Sequence, residues 1–435
     1  MTRRDPASER QVQAAAPSDS VWLSANAGSG KTKVLTDRVA RLLLAGTEPQ
    51  KVLCLTYTKA AATEMQNRLL KRLGAWAMLG DAELRQQLTD LGEDGVITDA
   101  HLAQARRLFA KAIETPGGLK IQTIHSFCAA LLRRFPLESG VPHGFAEIDD
   151  RSAAVLRADI LEELVQGPDA PLFDAVARYF SGSDIADLLA EISQNRDCFS
   201  ADLNLSDMLE AFGLPRDYTP ASLPQIAFDG SEADLVQSVA PVLMGQSKTM
   251  QDLARNLQAV DWTAPDAGTF DTLFNLFLYK DGGLPRAEAK TASIPTKKAV
   301  EALGGDLTEA FHAFMERIAQ VRGAQLGFAA AQRSFALHQF ARSYLPRLAA
   351  RKAARGWLDF DDLIERAATL LSNPSVAQWV LFRIDGGIDH ILVDEAQDTS
   401  PGQWTVIERL TDEFTAGEGA RGERRTIFVV GDRKQ

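Results

Sequence analysis

Two short stretches hold residues whose types and spacing could do phosphate chemistry. In the first, Gly28-Ser29-Gly30 precedes Lys31 and Thr32. Glycines let backbone N–H groups converge on phosphates, and a helix opening at Lys31 would add the positive end of its dipole. Lys31 would then reach β- and γ-phosphates, and the Thr32 hydroxyl would hold Mg²⁺. Ala25 stands where such a loop usually has its first glycine, with Asn26 and Ala27 completing the turn. In the second stretch, the apolar run Ile391-Leu392-Val393 delivers Asp394 and Glu395. A nucleotide-bound Mg²⁺ needs a carboxylate, and an attacking water needs a base or a positioning group beside it. Gln397 and Asp398 extend that site, and a later apolar run, 426–430, leads to Asp432 and Gln435. A glycine-rich turn or an Asp-Glu pair is weak by itself. Together they point to a nucleotide site.

The elements that must position these groups are legible. Val21 to Leu23 and Val52 to Leu55 read as buried strands, and Val34, Leu35, Val39, Leu42 and Leu43 have helical spacing. Ala60 to Leu73 reads as a helix, Ile121 to Ile124 as a short strand and Phe127 onward as a helix. Strands alternating with helices imply a parallel sheet, whose carboxyl edge binds ligands. Thr56, Tyr57, Thr58 and Lys59 fall at one such strand end, and Thr123, His125 and Ser126 at another. Hydroxyls suit phosphate contacts and an aromatic suits base stacking, with a polar loop as the plain alternative. His125 alone reads equally as a packing histidine. Between 101 and 135, Arg106, Arg107, Lys111, Lys120, Arg133 and Arg134 face only Glu114, so a basic groove or a solvated helix face is expected there. Asp359, Asp361 and Asp362 surround Phe360 before an apolar helix; capping is the plain reading and a metal site the alternative.

The 435 residues allow two or three domains, and 45% hydrophobic with 24% charged residues is ordinary for a globular chain. Net charge −11 argues against a general nucleic-acid coat protein and leaves room for a local basic groove. Cys54, Cys128 and Cys198 are far apart, which implies a reducing cytosol and no disulfide framework. No secretory signal and no bilayer-spanning run is evident. Residues 1–20 read as a polar lead-in containing Gln11. From about 150 to 345 the pattern is helical, with turn-rich linkers at 214–223 and 282–295. Lys290, Lys297 and Lys298 there could touch DNA or form a flexible basic loop. The expected fold class is α/β, a P-loop NTPase with a large all-helical insertion between its two halves.

Six segments together carry a resemblance. Ala25-Asn-Ala-Gly-Ser-Gly-Lys-Thr32, Leu55-Thr-Tyr-Thr-Lys-Ala-Ala-Ala-Thr-Glu-Met65, Thr123-Ile-His-Ser-Phe127, Leu358-Asp-Phe-Asp-Asp-Leu-Ile364, Val393-Asp-Glu-Ala-Gln-Asp398 and Val430-Gly-Asp-Arg-Lys-Gln435 resemble the UvrD/Rep-type superfamily-one DNA helicases. Within that family, Asn26 to Thr32, Ile121 to Cys128 and the long helical insert look like the AddA type, the helicase–nuclease component of the AddAB recombination complex. The resemblance implies a RecA-like parallel sheet flanked by helices, in two parts, 1–145 and 346–435, around an insertion domain at 146–345. It implies ATP and Mg²⁺ as cofactors. Gln11 would read the adenine, while Ala25, Asn26, Ala27, Gly28, Ser29, Gly30, Lys31 and Thr32 would hold the phosphates. Asp394 would serve Mg²⁺ beside Thr32, Glu395 would activate water, and Gln397 and Gln435 would sense the γ-phosphate. Thr56, Tyr57, Thr123 and His125 would contact single-stranded DNA.

The implied function is ATP-driven 3′-to-5′ movement on DNA in double-strand break repair and recombination. Single-stranded or duplex-end DNA and an AddB-like protein would be partners, with no membrane and a cytoplasmic location. A UvrD/PcrA-like repair helicase without nuclease is one alternative, and a nucleotide-dependent DNA-binding or docking module that does not turn over is another. Family members pair this first RecA-like domain with a second that supplies arginine fingers, and the sequence stops at Gln435. Arginine fingers contribute roughly 10³–10⁵ in rate in P-loop GTPases. Weak hydrolysis, and neither unwinding nor nuclease action by this chain alone, are therefore expected.

Overall fold

The computed structural model describes residues 6–24, 30–93, 95–116, 118–180, 185–384, 388–416 and 425–432. The chain divides into two compact units. One comprises Met1–Ser152 with Ala350–Gln435, the other Ala153–Ala349.

The first unit is built on five strands, β1 (Val21–Ser24), β2 (Val52–Thr56), β3 (Lys120–Thr123), β4 (His390–Val393) and β5 (Thr426–Gly431). Their order is β1-β5-β4-β2-β3, and every pairing is parallel. Val21 lies opposite Phe428, Leu53 opposite Ile391 and Cys54 opposite Ile121. The inner strands β2 and β4 are buried at every position, as continuous apolar runs covered on both faces must be. The outer strands β1 and β3 alternate in exposure.

Alternate side chains feed two cores. Cys54, Leu392 and Phe428 pack with Val34, Leu69 and Trp76 from the helices α2 (Lys31–Leu44) and α3 (Lys59–Met78). Leu53, Ile391 and Val429 pack with Phe127, Leu363 and Ile407 from α4 (Ile124–Arg134), α5 (Phe360–Ser372) and α6 (Pro401–Ala416). Since all five strands are parallel, their carboxyl ends at Ser24, Thr56, Thr123, Val393 and Gly431 share one edge.

The lead-in is not merely polar. Pro6–Ala14 is a helix, α1, and it places Gln11 against the start of α2. The segment after it is fastened by Arg38, which is fully buried. Its guanidinium donates to the carbonyls of Ala14, Ala16 and Asp19 and to the Thr426 hydroxyl, and lies 4.8 Å from the centre of the Phe428 ring. Burial pulls its pKa down to about 10.

The second unit has a core of Phe270, Phe274, Phe277, Phe311 and Phe314 within helices. Residues 282–295, expected as a linker, instead contribute to an antiparallel hairpin, Leu278–Asp281 with Leu284–Ala289. Gly282 and Gly283 both take positive φ, 54° and 87°, as a two-residue hairpin turn requires. The insertion is therefore helical with one hairpin. Lys290 folds back onto the carbonyls of Asn275 and Leu276. A single helix of 51 residues, Gly305–Arg355, follows. Cys54 and Cys128 are buried, Cys198 is exposed, and all three are free thiols. Among the described residues no helix is long and apolar enough to cross a membrane.

Candidate nucleotide and nucleic-acid site

Gly30 caps the amino end of α2 with φ 85° and ψ 22°, a left-handed conformation suited to glycine. A Cβ at Gly30 would lie 3.4 Å from the Gln11 side-chain nitrogen. Gln11 thus stands beside the amino end of α2, nineteen positions before Gly30. Lys31 and Thr32 form the first turn of α2. Ala25, Asn26, Ala27, Gly28 and Ser29 lie outside the described residues, as does Gln435.

The two chemical stretches meet across the sheet edge. Lys31 Nζ is 3.2 Å from Glu395 Oε2, a pair that spans 364 positions. The Lys31 side chain is 10% exposed and that of Glu395 37%. Gln397 donates from Nε2 to Glu395 Oε2 at 2.6 Å, and its Oε1 accepts from the Asp432 backbone N–H at 2.9 Å. The end of β4 is thereby tied to the end of β5. Gly431 is needed for this closeness, because a Cβ there would lie 3.2 Å from Ala396 Cβ. Glu395 holds φ 52° and ψ 50°, the one non-glycine positive φ among the described residues. For a glutamate that conformation is strained, so the turn fixes where its carboxylate points.

Asp394 is buried at the end of β4. Its backbone N–H donates to Leu55 O at 2.9 Å, and among the described residues its carboxylate accepts one hydrogen bond, from Glu395 N at 3.1 Å. Burial raises its pKa above the usual aspartate value, and the Glu395 charge adds to this, while Lys31 acts in the opposite direction. A buried carboxylate so short of compensating charge suits a divalent cation. Thr32 and Asp394 are oxygen donors of the kind Mg²⁺ takes, so the donor set fits that ion.

The four residues expected to meet DNA divide into two kinds. Thr56 and Thr123 are buried. The Thr56 hydroxyl donates to Thr58 O, and the Thr123 hydroxyl accepts from Ser126 N as the cap of α4. Their hydroxyls engage the backbone of the strand-to-helix turns. Tyr57 is 49% exposed and His125 half-buried, so these two remain available at the sheet edge.

The basic run from 101 to 135 is offset by acids that the fold brings in. Arg106 pairs with Asp81, Lys111 with Glu48 and Arg133 with Glu147. Asp359 and Asp362 form a reciprocal cap for α5 and both accept from Lys352, so the capping reading holds there.

A family model of the UvrD/REP helicase N-terminal domain matches residues 7–435. The chain belongs to this family. Among curated proteins it is similar to the ATP-dependent helicase/nuclease AddA of Lactiplantibacillus plantarum, with 25% identity over 98% of the chain and 35% of that protein. The protein of the same name from Pelotomaculum thermopropionicum is 26% identical over 95% of the chain and 33% of its own length. That of Geobacillus thermodenitrificans is 25% identical over 95% and 34%. The chain thus spans about a third of the length of the curated relatives it matches. Membership accounts for the pairing of a Gly-Lys-Thr helix start with an Asp-Glu strand end on one parallel sheet.

Sequence reasoning gave no role to four residues of this UvrD/REP-type edge. Trp22 stacks on Trp404 with ring centres 5.9 Å apart, walling a cavity of about 260 Å³ shared with Gln397, Gly431 and Asp432. Gln403 is buried, its amide 3.5 Å from His125 Nε2 and its Oε1 accepting from Ser400 N. Phe360 packs on His125. The signal for Phe360 was an aromatic placed directly after a capping aspartate.

Proposed function

We propose that the chain is the ATP- and single-stranded-DNA-binding motor portion of an AddA-type helicase that moves 3′ to 5′ in double-strand break repair. The observation that carries this reading is the 3.2 Å pair between Lys31 and Glu395, which joins the phosphate-loop helix to the carboxylate strand. Gly28 to Thr32 hold the phosphates of ATP, with Lys31 on the γ-phosphate and Gln11 on the adenine. Thr32 and Asp394 would hold Mg²⁺, which supplies neutralisation of phosphate charge when bound. Glu395 takes a proton from the attacking water. Its strained backbone and its hydrogen bond from Gln397 fix the carboxylate for that task. Gln397 and Gln435 register loss of the γ-phosphate. Tyr57 and His125 meet the strand. A RecA-like division at 1–145, 146–345 and 346–435 and an AddB-like partner belong to the same reading, which the names of the matched relatives support.

The test is ATP hydrolysis by the 435-residue chain with and without single-stranded DNA, beside Lys31→Ala. Weak turnover that DNA stimulates and Lys31→Ala abolishes is the expected result. Nucleotide and DNA binding without stimulated turnover would favour a docking module, and absence of Lys31-dependent nucleotide binding would overturn the reading.

A further inference from the structure

The helix α1 has nine residues. A helix that short is marginal in water by itself, so its surroundings must fix it. Its apolar anchorage lies at its end, where Ala14 and Ala15 pack on the core that α2 and α3 also line. Gln11 is half-buried one turn earlier. Arg41, ten positions after Lys31 in α2, meets the backbone there. Its Nη1 donates to the Val12 carbonyl at 2.9 Å, one residue from Gln11. Ala16 N donates to Gln13 O, so the Val12 carbonyl is of the kind that a helix end leaves over. A cation there also meets the negative pole of the helix dipole. The same guanidinium, 11% exposed, reaches into the stretch between α3 and β3. Its Nη2 donates to Gly92 O at 3.2 Å, and its Nε lies 3.5 Å from Glu93 Oε1. Gly92 ends the helix Asp81–Leu91 with φ 104°, a conformation suited to glycine. A Cβ at Gly92 would collide with Val12 Cγ1 and lie 2.9 Å from Arg41 Nη1, so this turn is seated directly on α1. Leu84, Leu88 and Leu91 are buried in the same core, which makes the helix behind Gly92 a fixed support.

We propose that Arg41 and the Gly92 turn form a clamp that positions Gln11 and thereby sets the preference for adenine over guanine. The inference rests on the reading of Gln11 as the adenine contact and adds to it the residues that hold that contact in place. A glutamine amide matches adenine with a donor for N7 and an acceptor for the N6 amino group. Guanine carries an acceptor at position 6, and an amide free to turn or shift would accommodate it. Discrimination therefore depends on where the amide is held, and the backbone at Gln11 and Val12 determines that. Arg41 belongs neither to the glycine-rich loop nor to the carboxylate strand, so it acts on the base contact and not on the phosphates. It is a positioning residue. The clamp also gives a role to the helical stretch between α3 and β3, which supplies Gly92 and Glu93.

The experiment is competition of ATP, GTP and inorganic tripolyphosphate against a fluorescent nucleotide, with Mg²⁺ and the full 435-residue chain. Wild type should prefer ATP to GTP. Gln11→Ala should weaken ATP binding by about 2- to 12-fold for each hydrogen bond lost. Arg41→Met should weaken ATP binding by a similar factor, reduce the preference over GTP and leave tripolyphosphate binding unchanged. Added to Gln11→Ala, it should cost nothing more, because both substitutions remove one and the same contact. Arg41→Lys keeps the charge and the buried stem but not the two-armed fork, and should also lose preference. It carries the test by itself if the methionine variant fails to fold. An unchanged preference in either Arg41 variant while Gln11→Ala loses it, additive losses in the double variant, or an equal fall for tripolyphosphate each overturn the clamp. A wild type without ATP preference, or a preference that Gln11→Ala leaves unaltered, overturns the adenine reading of Gln11 itself.

Discussion

Glu395→Gln should change nucleotide binding and hydrolysis in opposite directions. Lys31 Nζ rests 3.2 Å from Glu395 Oε2. An incoming γ-phosphate must draw Lys31 away from that carboxylate. Glu395 is more than a third exposed, so the pair falls near the surface range, at most about 1 kcal/mol. Neutralising Glu395 therefore frees Lys31 and should tighten ATP binding by up to about fivefold. Glutamine keeps the shape and still accepts from Gln397 Nε2, and it tolerates φ 52° no worse than glutamate. Backbone disturbance is thus a poor explanation for any change. Hydrolysis, by contrast, loses its base and should fall by about 10²–10⁴-fold. A second effect follows from Asp394, whose pKa is raised by burial and then by the Glu395 charge. Removing that charge lets Asp394 ionise at lower pH, so magnesium-dependent nucleotide binding should persist to lower pH in the variant. A fluorescent-nucleotide titration across pH 5 to 8 and a single-turnover phosphate-release assay with DNA measure all three. Weaker nucleotide binding by Glu395→Gln would refute the competition between carboxylate and phosphate for Lys31. A fall in hydrolysis of less than about tenfold would refute the role of Glu395 as base.

Arg38→Met should lower stability by roughly 2–4 kcal/mol, because the carbonyls of Ala14, Ala16 and Asp19 lose a charged donor; urea unfolding reads it, and an unchanged midpoint would count against the fastening role. The pH dependence of unfolding should carry a His125 component. Burial lowers its folded pKa, so the unfolded chain binds the proton first and stability falls as pH drops below about 6.5, levelling once folded His125 is protonated. A His125→Gln protein should lack that slope, and an NMR titration placing His125 at or above the ordinary histidine value would contradict it. Gln403→Ala should reduce the factor by which ATP changes single-stranded DNA affinity and, equally, the factor by which DNA changes ATP affinity. Unchanged coupling in paired equilibrium titrations would remove Gln403 from the coupling.

The sheet was legible because its inner strands must be apolar on both faces. Val52 to Leu55, Ile391 to Val393 and the run before Asp432 could be little else, and each announced the polar group at its carboxyl end. What escaped was whatever depends on a partner far away in sequence. Arg38 carried no signal in the sequence, and it is buried because three carbonyls and Thr426 converge on it. The threonines at 56 and 123 read as ligand hydroxyls, whereas local backbone groups engage them. Helix Gly305–Arg355 runs on through Gly323 and Gly327. A Cβ at Gly327 would meet Leu214 and the Phe212 carbonyl at 3.4 Å, so glycine there serves close packing within the second unit. Gly282 and Gly283 read as linker because a hairpin turn and a loose loop share composition, and only the pairing of flanking strands separates them.

The stretch from Glu395 to Gln403 runs from the candidate nucleotide site to the contact between His125 and Phe360. At its start, Gln397 holds both the Glu395 carboxylate and the Asp432 backbone. At its end, Gln403 closes the first turn of α6 through Ser400 and touches His125, which in turn supports Phe360. Adjacency alone does not couple two sites; the element between them must take two arrangements that each ligand favours differently. The Lys31–Glu395 pair supplies that difference on the nucleotide side. With Lys31 on Glu395, the carboxylate is shared between an ammonium and the Gln397 amide. With Lys31 drawn to a γ-phosphate, Gln397 alone would hold it, and the 3₁₀ turn at Ala396–Asp398 lies between that change and Gln403. Because Glu395 already sits in a left-handed conformation that glutamate disfavours, the turn stores a bias that altered side-chain contacts can release. A shift of this turn would reach Gln403 behind His125, whereas the reciprocal cap of Asp359 and Asp362 lies on a separate element.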